Sequence, residues 1–115
     1  WIFITVPAHG WLWSPHDIFL GHQRRYNLVG LRTLIARCGG LELHAIHYHY
    51  ALLVFPVAVH RIMDRLVCST PASDLKGHSR WVNELLSVLC GIELPVSQSN
   101  RWCGLTLAAL CRKVG

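Results

Sequence analysis

From His16 to Asn27 the chain reads HDIFLGHQRRYN, which places two histidines, an aspartate, an arginine pair and a tyrosine within twelve residues. An imidazole such as that of His22 works as a general base near neutral pH, and Tyr26 offers a hydroxyl that orients a bound group. Arg24 and Arg25 carry planar guanidinium forks suited to a carboxylate or a phosphate. His16 and Asp17 add hydrogen-bonding groups, and Trp11 and Trp13 just upstream offer flat faces on which a sugar or ring stacks. These residue types point to a substrate-binding loop with His22 and Tyr26 as candidate catalytic residues. Each has a structural role open to it as well. Gly21-His22 can make a turn, Tyr26 can cover the next helix, one arginine can pair with Asp17, and the tryptophans can anchor a lid.

A second group, His44, His47 and His49, invites a metal reading, since His47 and His49 would share one face of a strand. No cysteine or carboxylate stands beside them at ligand spacing, so a site would need ligands from elsewhere, and packing or surface roles are the expectation. The five cysteines at 38, 68, 90, 103 and 111 form no Cys-x-x-Cys pair, and several have apolar neighbours. That usage fits a reduced, cytoplasmic interior. The chain carries a net charge of +5, with basic residues dispersed from Arg24 to Lys113, so nucleic acid is not indicated. The apolar run Leu52 to Val59 is broken by Pro56 and is far shorter than the ~20 residues of a membrane span.

The elements that must position these groups follow from periodicity. Ile2 to Val6 is an apolar, β-branched run ended by Pro7, the pattern of a strand buried on both faces. Residues 7–27 carry two prolines and two glycines and predict a long loop with at most one helical turn; loops of this length are usually functional. Asn27 caps a helix with apolar residues at Leu28, Leu31, Leu34, Ile35 and Cys38, stopped by Gly39-Gly40. Leu41 to Tyr50 alternates as a strand, with Leu43, Ala45, His47 and His49 opposite Glu42, His44, Ile46, Tyr48 and Tyr50. A helix over 51–67 holds Pro56 in its first turn or is kinked by it. It is expected to bury a broad face in the core, with peripheral contact to a membrane surface through 51–67 as the alternative. Residues 68–79 read as loop, Trp81 to Leu89 as a helix ended near Gly91, PVSQSN as a connector, and Trp102 to Cys111 as a closing strand containing Gly104.

The stretch TVPAHGWLWSPHDIFLGHQRRYN resembles the segment after the fifth strand of bacterial class I S-adenosylmethionine-dependent methyltransferases, where V-P-A, W-L-W-S, H-D and L-G-H-x-R-R-Y occur in that order. The helix ending in Gly39-Gly40, the strand after it, the Phe55-Pro56 helix and the terminal WCGLTLAALCRK are similar to that family in order. Gln23 and Asn27 stand where the family has an aromatic residue and a threonine, and Cys103 where it has a phenylalanine. The resemblance implies an α/β fold: the C-terminal half of a Rossmann-like sheet, about three strands with flanking helices, its last strand antiparallel. Residues 1–115 would then form the substrate-side half, with 7–27 as the acceptor loop over a small-molecule or glycan-type acceptor. The family's cofactor residues would precede Trp1, so no S-adenosylmethionine-binding residue carries over, and the half alone would self-associate. A truncated remnant with only an interaction role and a small His-based metal module are the rival readings.

Overall fold

The computed structural model describes residues 1–67 and 79–115; the expected loop over 68–79, with Cys68, lies outside them apart from Ser79. In chain order the elements are β1 (Ile2–Pro7), a 3-10 turn (Gly10–Leu12), α1 (Pro15–Phe19), α2 (Leu28–Arg37), β2 (Leu41–His49), α3 (Val54–Val67), α4 (Arg80–Ser97) and β3 (Thr106–Lys113). The fold is mixed α/β. Its sheet has the order β1-β3-β2, with β3 antiparallel to both neighbours. Because α2 carries the chain from the end of β1 back to the start of β2, those two strands run the same way. A final strand can pair with both only by running against them.

The core lies where α2 meets the sheet. Leu31 and Ile35 of α2 pack against Ile46, Tyr48, Leu107, Ala109 and Cys111, with Ala8 at the end of β1 closing the cluster. Burying each large aliphatic side chain of this kind stabilises by about 1.5–3 kcal/mol. The helix starts as its sequence demands, with Asn27 Oδ1 accepting the Gly30 N–H at 2.7 Å. It stops at Gly39 and Gly40, whose φ values of 61° and 66° are left-handed. Leu34 and Cys38, expected on the buried face, are exposed, so that face narrows to Leu31 and Ile35 with Leu28 at its margin.

Several expectations need correction. β1 is not buried on both faces: Phe3 is 65% exposed. Among the described residues the main helix-to-sheet contacts of α2 and α4 fall on β2. In β2 the pairing passes from Leu43↔Cys111 directly to Ala45↔Leu110, leaving His44 as a bulge. The extra residue reverses the alternation, so that Leu41 and Leu43 join Ile46 and Tyr48 against the core. β3 begins at Thr106, not at Trp102, because Asn100 shapes the preceding turn: its Oδ1 accepts the Trp102 and Cys103 N–H groups at 3.1 and 3.4 Å, and its Nδ2 donates to the Cys103 carbonyl at 2.7 Å.

α4 does not end near Gly91 but runs on through Pro95. A tertiary tie holds those extra turns: the Glu93 carboxylate accepts the N–H groups of Ala51 and Leu52 at 2.5 and 3.1 Å, at the turn leading into α3. Such charge-assisted bonds outweigh the cost of about 1 kcal/mol for a glycine inside a helix. Pro56 sits in the first turn of α3, where a missing N–H costs little. The broad apolar face expected to be buried on α3 is instead open, with Phe55, Ile62, Met63 and Leu66 exposed. No helix among the described residues is long and apolar enough to cross a membrane.

Candidate functional site

The loop that leaves the carboxyl end of β1 is organised around Asp17. Ser14 caps α1 through a reciprocal pair of bonds: its Oγ accepts the His16 N–H at 3.2 Å, and Asp17 Oδ2 accepts the Ser14 N–H at 3.0 Å. Pro15 follows as the first helical residue, where its fixed φ suits a helix start. The other carboxylate oxygen, Oδ1, accepts from Arg25 Nε and Nη2, each at 2.9 Å, and lies 3.0 Å from His22 Nδ1. Gly21 makes the return possible: its φ of 70° turns the chain back, and the His22 N–H then donates to the Asp17 carbonyl at 2.9 Å.

Asp17 is completely buried, and the Arg25 side chain is only 7% exposed. Burial by itself would raise the Asp17 pKa. The hydrogen bonds from His22 and Arg25, the Arg25 charge and the Ser14 N–H outweigh it and hold the carboxyl below its ordinary value. Arg25 also donates through Nη1 to the Ala8 carbonyl at 2.9 Å, so one guanidinium fastens the loop to the end of β1. Of the two roles open to Asp17 and Arg25, substrate binding and internal pairing, the structure shows the internal pair. They bind each other, and three donor atoms of the Arg25 guanidinium are engaged inside the loop.

An ionised carboxylate only accepts, so His22 Nδ1 carries the proton in its bond to Asp17 Oδ1. Nε2 is then the nitrogen able to take another proton, an arrangement in which a carboxylate orients an imidazole base. His22 is 34% exposed, enough to meet solvent or a ligand. Arg24 is the outward member of the arginine pair; its Nε donates to the Tyr26 hydroxyl at 2.6 Å, and its guanidinium carbon lies 4.8 Å from that ring's centroid. Tyr26 is half-buried. Its main chain bridges to Ala8, donating to the Pro7 carbonyl and accepting from the His9 N–H at 2.9 and 2.8 Å.

Trp11 and Trp13 lie at a 3-10 turn and not on an extended segment. Trp11 is exposed in the 3-10 turn and Trp13 ends it half-buried. Arg65 of α3 donates to both their carbonyls, at 2.8 Å to Trp13. His16 is half-buried on α1. The structure therefore gathers His22, Asp17 and Arg25 into one cluster and Arg24 with Tyr26 into a second, more exposed one. His47 and His49 do share a face, with ring centroids 4.7 Å apart, while His44 meets Trp1 at 5.1 Å. Among the described residues no three His, Cys, Asp or Glu side chains are grouped to hold a metal.

Sequence reasoning passed over His9. Its φ of 57° and ψ of 108° are rare for any residue but glycine, and its ring stacks on Tyr48 with centroids 5.1 Å apart and planes 10° apart. Burial first and the Arg25 charge second hold its pKa below 6.5. The available signal was weak, a histidine between Pro-Ala and Gly-Trp at the end of a strand. No protein-family model, no curated protein and no solved structure matches the chain.

Proposed function

We propose that this chain is the acceptor-side half of an S-adenosylmethionine-dependent methyltransferase of Rossmann-like fold, with the loop over residues 7–27 lying across the methyl acceptor. The observation that carries the reading is the sheet order, β1-β3-β2 with the last strand antiparallel between two strands of common direction. It is the arrangement that the resemblance of TVPAHGWLWSPHDIFLGHQRRYN implies. In open α/β sheets ligands bind beyond the carboxyl ends of strands, and the loop leaves such an end.

Among the described residues no glycine-rich turn leads from a strand into a helix in a way that would fit the cofactor. Gly39 and Gly40 close α2 instead. The work of this chain is therefore acceptor binding. Methyl transfer is an in-line displacement that depends on close positioning, and a base is needed only where the acceptor must lose a proton. Arg24 supplies a cation for an anionic group on a small-molecule or glycan-type acceptor, Trp11 an exposed ring for stacking, and His22 Nε2 the proton acceptor. Asp17 and Arg25 hold that loop in shape. A reaction that leaves the acceptor's protons in place would use His22 only as a hydrogen-bonding group.

The first test uses the protein as encoded in the cell, with labelled S-adenosylmethionine and candidate anionic acceptors. Arg24→Ala is expected to lower acceptor kcat/KM by about tenfold, equivalent to ~1.4 kcal/mol, with cofactor affinity unchanged. Equal loss of cofactor affinity would remove the acceptor assignment. The second test takes the 115-residue chain alone, in calorimetry with S-adenosylmethionine and in light scattering. No saturable binding is expected. Self-association is expected, because among the described residues nothing pairs with the outer edge of β1, and its Ile2 and Phe3 are exposed. Micromolar binding by a monodisperse monomer would overturn the half-domain reading.

A further inference from the structure

We propose that Cys103 and His9 form a thiol–imidazole pair that makes Cys103 a site of covalent modification by soft carbon electrophiles. The proposal rests on the geometry of the pair and not on the methyl-transfer reading. Cys103 Sγ lies 3.6 Å from His9 Nε2, within reach for proton exchange between a thiol and a ring nitrogen. Reactive cysteines are recognised by a base at this distance that is itself held in place.

Both partners are held. The His9 ring is stacked on Tyr48, and Trp11 stands 5.9 Å away with its ring tilted by 38°. Its backbone, in a sparsely populated conformation, is locked by the N–H bond to the Tyr26 carbonyl. Cys103 is clamped on its N–H and carbonyl sides by the Asn100 amide, and Gly104 after it is pressed against the backbone of His49. Cys103 and His9 are half-buried, so a small reagent reaches them, whereas Cys111 is fully buried. Because burial and the Arg25 charge keep the imidazole neutral at pH 7, Nε2 has a lone pair to offer when Nδ1 carries the proton.

With iodoacetamide the step is a displacement. Sγ forms a bond to the reagent's methylene carbon, the carbon–iodine bond breaks, iodide leaves with the bonding pair, and the thiol proton passes to His9 Nε2. No oxidant or reductant is needed. A bulkier Cys103 would press on His9, so modification is also a means of disturbing the loop over residues 7–27.

The experiment is iodoacetamide labelling of the intact chain at pH 7, with each cysteine-containing peptide quantified by mass spectrometry against exposed Cys38. Cys103 is expected to react about a hundredfold faster than Cys38, the lower end of general-base effects, and His9→Gln to abolish that advantage while leaving Cys38 unchanged. Equal rates at Cys103 and Cys38, or an unchanged Cys103 rate in His9→Gln, would overturn the pair. Should His9→Gln loosen the fold, Cys111 becomes reactive and reports it, and the pH profile of the unsubstituted chain then decides. A Cys103 rate nearly level between about pH 8 and pH 6.5, falling only as His9 protonates, supports the pair. A fall of tenfold per pH unit across that range, the titration of a lone thiol of pKa ~8.5, refutes it.

Discussion

Asp17→Ala is expected to lower the free energy of unfolding by about 3–5 kcal/mol, the cost of leaving a buried charge without its partner. Arg25 would keep its position beneath the loop with only the Ala8 carbonyl to receive it, and the Asp17 half of the reciprocal cap at Ser14 would be lost together with the His22 contact. Urea titration followed by tryptophan fluorescence measures the loss. A change within about 0.5 kcal/mol, the size of a surface substitution, would show that the cluster does not hold the loop. The double variant Asp17→Leu, Arg25→Met is expected to recover part of the loss, since removing both charges is far cheaper than removing one. The pH dependence has a definite sign. The Asp17 carboxyl titrates below its ordinary 3.8 in the folded chain, so its stabilisation is complete above about pH 5 and disappears as the pH falls through the folded value. Asp17→Asn should flatten that part of the acid-unfolding curve.

Gly104→Ala is the second large effect. A Cβ there would run into the His49 carbonyl oxygen and stand 2.8 Å from Tyr48 Cβ. The obstacle is backbone, which cannot swing aside as a side-chain end does. The entry to β3 would have to move away from β2, at an expected cost of about 3 kcal/mol or more. Hydrogen exchange gives the specific readout: the Tyr48 N–H, bonded to the Asn100 carbonyl at 2.8 Å, should lose its protection. Gly39→Ala is the contrast, because Gly39 is left-handed but meets open space, and it should cost only about 1–2 kcal/mol. Equal costs for the two would mean that β2 and the entry to β3 are not in close contact.

The two substitutions differ in how far the sequence alone foretells them. A helix stop at Gly39-Gly40 is legible because a periodic apolar run ends there, and the cap at Asn27 is legible for the same local reason. Gly104 reads only as a glycine within an apolar strand, and nothing nearby in sequence says that the backbone of residue 49 approaches it. The same distinction runs through the candidate site. His22, Arg24, Arg25, Tyr26 and Asp17 stand out by type and spacing, and an internal pairing of Asp17 with one arginine was among the roles open to them. Which arginine takes it depends on the Ala8 carbonyl, seventeen residues from Arg25.

Local chemistry therefore determined the capped and glycine-stopped α2, the long loop after β1, and the existence of β2 and β3, since each rests on residues within a few positions of one another. Tertiary structure decided the rest. His44 bulges because β2 must match the register of β3, and that single extra residue turns Leu41 and Leu43 toward the core. α4 outlasts Gly91 and carries Pro95 because Glu93 bonds to backbone about forty residues away. His9 becomes a strained, stacked imidazole beside Cys103 only when β1, β2 and the Asn100 turn come together. In each case the deciding energy comes from a partner distant in sequence, and a pattern read along the chain contains no term for it.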